Sequence, residues 1–264
     1  MLKKPTGSLT LDRSDARLKA LLDQIDSAFH ELLGTSLTGL YVHGSIAFGE
    51  FTWEHSDVDF IAVVEEPLLP TQKLNLLTTL IELQEISPPK GLEMSVLLRQ
   101  DCQNFIHPSP FQLHYSRAWR SAAISDPLSL VTSQPERDPD LAAHLMVLCS
   151  HGLCWAGAPI ARVFSRPVWQ DYLHSITQDL LDAARKPLDN PVYLVLNLCR
   201  VLAARRDGLV LSKRQGGEWA LKNLPKTLQE PIRHALSLPP PTSIPTAQIR
   251  ALVKELNQTE QPQK

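Results

Sequence analysis

The chain has 264 residues, of which 43% are hydrophobic and 20% charged, and its formal net charge is −2. This composition is typical of a globular protein rather than a disordered or membrane chain. The charge balance is unlike the basic surface with which proteins meet nucleic acid. No apolar run reaches the ~20 residues of a membrane span, and the N-terminus lacks the apolar core of a secretory signal. We therefore expect a cytoplasmic protein of two domains that binds neither membranes nor nucleic acid.

The N-terminal half alternates between strand and helix patterns. Apolar residues recur at three- and four-residue steps over Ser14–Leu33, which predicts an amphipathic helix that ends before Gly34. A second helical pattern covers Thr71–Ile86. Three short apolar runs predict strands, and these are Gly39–His43, Val58–Val64 and Leu92–Leu98. Alternation of this kind indicates a layer of helices on a small mixed sheet.

The C-terminal half is predicted to be all-α. After Asp138 the apolar residues follow helical spacing, with proline or glycine at the boundaries. The stretch Asp126–Pro139 is rich in serine, proline and acidic residues, which predicts a linker. We therefore expect an α+β protein with a sheet-containing domain at residues 1–130 and a helical bundle at 131–264. The predicted helices are Pro139–Trp155, Pro167–Arg185, Pro191–Arg206, Ser212–Asn223, Thr227–Leu236 and Thr246–Gln258.

The four cysteines are scattered along the chain without the paired CxxC spacing of a zinc site. We expect reduced thiols that are mostly buried, with no metal or redox role.

Two aspartates mark a candidate metal site. Asp57 and Asp59 flank Val58 in a predicted strand, and alternation along the strand sends both carboxylates to one face. Like charges on one face repel each other, and a hard cation such as Mg²⁺ removes that repulsion. A bare Asp-x-Asp pattern is short, so two unrelated aspartates on a solvated strand edge remain the alternative for this pattern alone.

A glycine-serine pair precedes the aspartates. Gly44 and Ser45 follow a predicted strand, and eleven residues, 46–56, separate Ser45 from Asp57. Glycine lets the backbone approach a phosphate closely, and a helix that begins there presents unpaired N–H groups. The combination favours a nucleotidyltransferase that holds a metal-bound triphosphate.

The order of these features resembles that of the DNA polymerase β-like nucleotidyltransferases. In that superfamily a strand is followed by Gly-Ser, a short helix and then Asp-x-Asp on the next strand. Members of that superfamily complete the site with a third carboxylate on a neighbouring strand. The matching residue is Glu93, the one acidic residue in the apolar run Leu92–Leu97. An exposed strand-edge residue is the alternative interpretation of Glu93.

Longer segments resemble the aminoglycoside 3''-adenylyltransferases, which modify streptomycin and spectinomycin. The resemblance runs from about Leu40 to Leu236, and it implies an ATP-dependent enzyme with Mg²⁺ as cofactor. The segments are LYVHGSIAFGEFTWEHSDVDFIAVV, GLEMSVLL, FQLHYS and NLCRVLAARRDGLVLSKRQGGEWALKNLP.

The resemblance implies roles for residues around the two motifs. Gly44, Ser45 and Ser56 would contact the nucleotide. Asp57 and Asp59 would hold the metal and take part in catalysis.

Three further roles follow from the same resemblance. Glu93 would be both the general base on the drug hydroxyl and a third metal ligand. Arg200 and Lys213, at the family's spacing of thirteen, would bind the triphosphate. Fixed cations there would stabilise the charge that develops on leaving pyrophosphate. Solvated positions at helix ends are the alternative for both cations.

The sequence departs from the family in the region that contacts the drug. Members that accept streptomycin use a tryptophan and an aspartate in the loop before the arginine helix. Here Ala184–Asn190 contains Asp189 but no tryptophan, which leaves spectinomycin or another hydroxylated compound open. Trp119, Asp140 and Asp182 are further candidates for substrate contact, with core packing or solvated helix positions as their alternatives.

The sequence thus predicts a monomeric adenylyltransferase that acts on a small molecule. It would transfer AMP from MgATP to a hydroxyl of a spectinomycin- or streptomycin-like antibiotic and release pyrophosphate. Adenylylation of a protein or another metabolite, and a catalytically silent nucleotide-binding module, remain alternatives. A polynucleotide-directed transferase is disfavoured by the charge balance.

Overall fold

A computed structural model of the chain describes residues 16–134, 137–184, 190–237 and 243–258. The chain divides into two compact units. The first contains the residues up to Asp138 together with Val147–Arg166. The second contains Pro139–Met146 and the residues from Pro167 onward. A short segment of the second unit therefore interrupts the first along the chain.

The first unit is built on a mixed five-stranded sheet in the order β5-β3-β2-β1-β7. Strand β2 is parallel to β3, whereas β1 is antiparallel to both β2 and β7, and β5 is antiparallel to β3. A separate pair of two-residue strands, β4 and β6, is antiparallel. The strands are β1 Leu37–Val42, β2 Val58–Val64, β3 Leu92–Leu98, β4 Ser109–Pro110, β5 Leu113–Tyr115, β6 Arg137–Asp138 and β7 Leu153–Gly157.

The helices of the first unit lie before, between and after these strands along the chain. Two of them, α1 and α3, pack with strands β1, β2 and β3 in one hydrophobic core. Single 3₁₀ turns occur at Gly34–Ser36 and Arg117–Trp119. The helices are α1 Ala16–Leu33, α2 Gly44–Ala47, α3 Pro70–Gln84, α4 Arg99–Gln103, α5 Arg120–Ser125, α6 Pro127–Ser133, α7 Leu141–His151, whose first residues belong to the second unit, and α8 Ile160–Val163.

The core of the first unit is centred on the buried face of α1. Phe29 of α1 is 0% exposed, and its ring meets that of Phe60 edge-on at 5.7 Å between centroids. Phe60 and Val58 point to this core, so alternation along β2 directs Asp59 to the opposite face. Packing of β2 on α1 thus determines the direction of the aspartate.

The second unit is helical in its described residues, and α10 contributes the largest share of its buried side chains. Helix α11 begins with a capping box, in which Ser212 Oγ accepts from Gln215 N at 2.9 Å and Gln215 Oε1 accepts from Ser212 N at 3.2 Å. A 3₁₀ turn covers Lys226–Leu228. The helices are α9 Trp169–Ala184, α10 Pro191–Asp207, α11 Lys213–Asn223, α12 Gln229–Leu236 and α13 Thr246–Gln258.

The predicted α+β fold with a helical C-terminal region is confirmed, but two local predictions are wrong. The helix predicted for Pro139–Trp155 ends at His151, and Leu153–Gly157 forms strand β7. This apolar run fits a helix or a strand equally well from its pattern. Pairing with β1 decides the outcome, because it satisfies the backbone groups along that strand's edge.

The stretch predicted to be a linker contains α6. Asp126 caps this helix by accepting from Ser129 N at 3.0 Å, and Pro127 occupies its first turn. Leu130 is 3% exposed and belongs to the core of the first unit. The serine, proline and acidic residues of this stretch are helix-start signals rather than signs of a linker.

The first residues of the predicted Ser14–Leu33 helix lie outside the described ranges.

The cysteines form no disulfide. Cys102 and Cys199 are buried, Cys149 is half-buried and Cys154 is exposed. Burial raises the pKa of the Cys149 thiol to about 11 and that of Cys199 to about 12. These two thiols therefore remain protonated at neutral pH.

Where residues are described, every helix is either too short or too polar to cross a bilayer.

Replacing Phe29 by alanine should lower the free energy of unfolding of the first unit by about 3–5 kcal/mol, because it removes a fully buried ring. Urea unfolding of the variant measures this. Ile86→Ala, at a position that is 47% exposed, should change stability by less than about 0.5 kcal/mol. Equal effects of the two changes would contradict the assigned core.

Candidate active site

A tight turn connects β1 to the one-turn helix α2. Gly44 opens α2 with φ of +58°, a backbone conformation that suits glycine. His43 N donates to the carbonyl of Asp59 at 3.0 Å, and Glu50 N donates to the carbonyl of Ser45 at 2.9 Å. These bonds fix the glycine-serine pair against strand β2.

Gly44 lies directly against the carboxylate of Asp59. A Cβ atom at Gly44 would lie 1.8 Å from Asp59 Oδ2 and 2.5 Å from its Cγ. No side chain fits there, so glycine is required both for its positive φ and for this close approach. The position of the turn and that of the aspartate therefore depend on each other.

Three carboxylates come together beside this turn. Asp59 and Glu93 are register partners on the parallel strands β2 and β3, and Asp57 immediately precedes β2. One oxygen from each of Asp57, Asp59 and Glu93 lies within 4.8 Å of the other two, and all three residues are half-exposed. Among the described residues they are the one group of three or more potential metal ligands at such distances. The structure thus brings the predicted acidic residues together.

The chemistry of this cluster suits a divalent cation. Unit negative charges at that separation repel by about 3 kcal/mol per pair at an effective dielectric constant of ~20. A hard cation with carboxylate ligands, such as Mg²⁺, would offset this repulsion. Ser45 Oγ adds a second indication, because it is buried and finds no hydrogen-bond partner within the described ranges. An unsatisfied buried hydroxyl beside an acidic cluster fits an oxygen-rich ligand such as a phosphate.

Ser56 has a contact within its own loop. Its Oγ accepts from Thr52 N at 3.1 Å, and its backbone N donates to the Thr52 carbonyl at 2.9 Å. Ser56 is 8% exposed. These bonds close the loop immediately before Asp57 and so help to fix where β2 begins.

The second unit brings the two predicted cations onto adjacent helices. Arg200 lies on α10, and Lys213 is the first residue of α11, directly after the Ser212 cap. A Cβ atom at Gly216 would lie 2.9 Å from Arg200 N, so the backbones of α10 and α11 are in close contact at this point. The absence of a side chain at Gly216 therefore permits this approach.

Sequence reasoning missed two partners of these cations. Tyr193 Oη donates to Asp179 on α9, and the same carboxylate contacts Arg200. Lys213 Nζ lies 4.3 Å from the centroid of the Tyr193 ring. The seven-residue spacing from Tyr193 to Arg200, which places both on one face of α10, was the available signal.

The residues predicted to contact a substrate lie far apart in the sequence and differ in burial. Trp119 is half-buried and packs against the core of the first unit. Asp140 is exposed, and its carbonyl accepts from the backbone at the start of α7. Asp182 lies in α9, but its side chain is not among those described, and Asp189 lies outside the described ranges.

Three comparisons with known proteins each find aminoglycoside or spectinomycin adenylyltransferases. Residues 162–259 match the sequence model of the family described as "Aminoglycoside adenylyltransferase, C-terminal domain". An aminoglycoside (3'')(9) adenylyltransferase of Rhizobium radiobacter is 25% identical over 247 residues, which covers 87% of this chain and 84% of the relative. The crystal structure of the spectinomycin adenyltransferase AAD(9) from Enterococcus faecialis, with ATP and spectinomycin, superposes with a TM-score of 0.75. It is 19% identical, and the match covers 90% of this chain and 99% of that one.

The chain is similar to aminoglycoside adenylyltransferases, both in this C-terminal match and over most of its length. The resemblance inferred from the sequence motifs is thereby confirmed. The matched C-terminal segment includes Arg200 and Lys213, whereas the match to the Rhizobium radiobacter relative also spans the sheet-containing unit. The structural likeness to AAD(9) shows that the fold is shared.

Replacing Gly44 by alanine should weaken divalent-cation binding at least ~10-fold, because the added methyl group displaces the Asp59 carboxylate. Titration with Mn²⁺ followed by electron paramagnetic resonance measures the affinity. Gly49→Ala is the matched control, since Gly49 also has a positive φ of +70° but has no atom within 4 Å of an added Cβ. A loss of affinity in both variants would point to strain in the turn rather than to the contact with Asp59.

Proposed function

We propose that this protein transfers AMP from ATP to a hydroxyl group of an aminocyclitol or aminoglycoside antibiotic and releases pyrophosphate. The observation that carries the proposal is the cluster of Asp57, Asp59 and Glu93 beside the Gly44 turn. The names of the relatives support it, since one is an aminoglycoside (3'')(9) adenylyltransferase and another was crystallised with ATP and spectinomycin.

The first unit would hold the nucleotide by its triphosphate. Asp57, Asp59 and Glu93 would hold Mg²⁺, which when bound supplies charge compensation and alignment for the phosphates. The half-exposed backbone at Gly44 would let a phosphate oxygen approach the start of α2. The Ser45 hydroxyl, which has no hydrogen-bond partner among the described residues, would donate a hydrogen bond to such an oxygen.

Glu93 would also act as the general base. As the acceptor oxygen forms its bond to the α-phosphorus, the bond from that phosphorus to pyrophosphate breaks, and the acceptor's proton passes to the Glu93 carboxylate. A carboxylate has two oxygens, so one could face the cation while the other accepts the proton. Its position on β3, in register with Asp59, supports this assignment because it keeps the base beside the proposed phosphate site.

Arg200 and Lys213 would bind the β- and γ-phosphates, and Ser56 would contact the nucleotide. Pyrophosphate gains negative charge as it leaves, and fixed cations stabilise that charge. Two facts support the cationic pair: both residues lie in the matched family domain, and α10 and α11 are in close contact at Arg200.

Spectinomycin is the first acceptor to test. The stretch Ala184–Asn190 lacks the tryptophan that the family resemblance associates with streptomycin, although it retains Asp189. Asp140 and Asp182 would supply negative charge to a cationic drug, and Trp119 would supply an aromatic surface. We further propose that the protein works as a monomer in the cytoplasm, where its co-substrate ATP is available.

Incubation with ATP, Mg²⁺ and a panel of spectinomycin, streptomycin and kanamycin, followed by mass spectrometry, tests the function. We expect one of the first two drugs to gain the mass of an AMP group. ATP binding without transfer to any of the panel would instead favour the silent module or an acceptor outside this class of antibiotics.

Replacing Glu93 by glutamine should lower turnover ~10²-fold or more, since the amide cannot accept the proton. MgATP binding should be largely preserved, because the amide oxygen, Asp57 and Asp59 can still hold the cation. Steady-state kinetics and calorimetry measure the two quantities separately. Glu82→Gln, at an exposed position on α3, is the matched control and should leave both unchanged. Full turnover in the Glu93 variant would remove Glu93 from the role of base.

A further inference from the structure

Arg200 is held by a carboxylate that the proposed mechanism has not used. Its side chain is 16% exposed, and Nη2 lies 3.4 Å from Asp179 Oδ2 on α9. The Nε atom is buried and has no hydrogen-bond acceptor among the residues whose positions are described. Because a guanidinium carries five N–H donors, the long contact with Asp179 leaves hydrogen-bonding capacity for an anionic ligand.

Asp179 is held more firmly by Tyr193 than by Arg200. Tyr193 Oη donates to both carboxylate oxygens of Asp179, at 2.8 and 3.0 Å. Burial, together with the adjacent Asp179 carboxylate, raises the pKa of Tyr193, so the hydroxyl keeps the proton that it donates. The tyrosine thus fixes the position of the carboxylate on α9 relative to Arg200 on α10.

The same tyrosine contacts the second cation through its ring. Lys213 Nζ lies 4.3 Å from the ring centroid, within the range of a cation–π interaction. Close backbone contact at Gly216 brings the first turn of α11 against Arg200. Tyr193 therefore links the two cations, by its ring to Lys213 and by its hydroxyl, through Asp179, to Arg200.

We propose that Tyr193 and Asp179 are positioning residues that hold Arg200 and Lys213 in the geometry required to bind the triphosphate. The inference rests on the proposed function, in which the two cations bind the β- and γ-phosphates. Lysine and arginine side chains both lose substantial rotamer entropy when they are fixed in one geometry. Fixing them before the nucleotide arrives reduces the ordering cost of binding. The hydrogen bonds from Tyr193 also offset the charge of Asp179 beside an anionic ligand.

Tyr193→Phe tests the proposal directly, because it keeps the ring beside Lys213 and removes the hydroxyl that holds Asp179. We expect the Kd for MgATP, measured by calorimetry without an acceptor, to rise roughly 5- to 10-fold, which is the size of effect that a typical intramolecular hydrogen bond produces. The KM for the acceptor should change by less than about twofold, because no acceptor contact is assigned to Tyr193.

Tyr172→Phe is the matched control. Tyr172 is 1% exposed on α9, and its hydroxyl has no hydrogen-bond partner in the described part of the chain. Its removal should leave the Kd for MgATP unchanged. An equal rise in both variants would mean that any change in the helical packing weakens binding, and this would overturn the positioning role.

Combining Tyr193→Phe with Arg200→Ala separates positioning from general stability. If Tyr193 acts through Arg200, the double variant should bind MgATP no more weakly than Arg200→Ala alone. Additive losses, or a lowered Tm with unchanged MgATP affinity in Tyr193→Phe, would show a purely structural role and overturn the proposal.

The outcomes distinguish this inference from the proposed function. If Arg200→Ala binds MgATP as tightly as the wild type, the phosphate role of Arg200 fails and the positioning role fails with it. If Arg200→Ala weakens binding and Tyr193→Phe does not, only the positioning role fails. Failure to modify any antibiotic would contradict the proposed acceptor class, and the Kd for MgATP would still decide the role of Tyr193.

Discussion

The contact between Gly44 and Asp59 is the constraint on which the candidate active site depends. The carboxylate occupies the volume that any side chain at Gly44 would fill, and the backbone of the turn donates from His43 N to the Asp59 carbonyl. Because the turn follows β1 and Asp59 lies on β2, the antiparallel pairing of these strands brings them together. Loss of that pairing would separate the proposed phosphate-binding turn from the proposed metal ligands.

The fold brings three carboxylates together, and their mutual repulsion has an electrostatic cost. Asp59 and Glu93 are adjacent because β2 and β3 are parallel and in register, and Asp57 is directed to the same region by alternation across Val58. Burial of Val58 and Phe60 against the helical layer prevents β2 from turning over. Hydrophobic packing on one face of the sheet therefore imposes a concentration of negative charge on the other, which is the arrangement that a cation-binding site requires.

In the second unit, packing brings positively charged side chains together. Close contact of two helix backbones at Gly216 brings cationic residues near each other, and an intervening acid and tyrosine offset the repulsion between them. The tyrosine hydroxyl accounts for the firm placement of Asp179, whereas Arg200 makes a longer contact with the same carboxylate. A site built in this way holds its charged groups in place before any ligand binds.

The sequence alone determined the Gly44–Ser45 turn, Asp57 and Asp59, because strand alternation and glycine geometry are local properties that one short segment displays. Glu93 stood out as the acid in an apolar run, although only the β2–β3 register brings it beside Asp59. Tertiary structure decided that Leu153–Gly157 is a strand, since pairing with β1 resolves a pattern that suits a helix equally well. It also decided the link from Tyr193 through Asp179 to Arg200, because an acid on one helix does not reveal its partner on another until the helices pack.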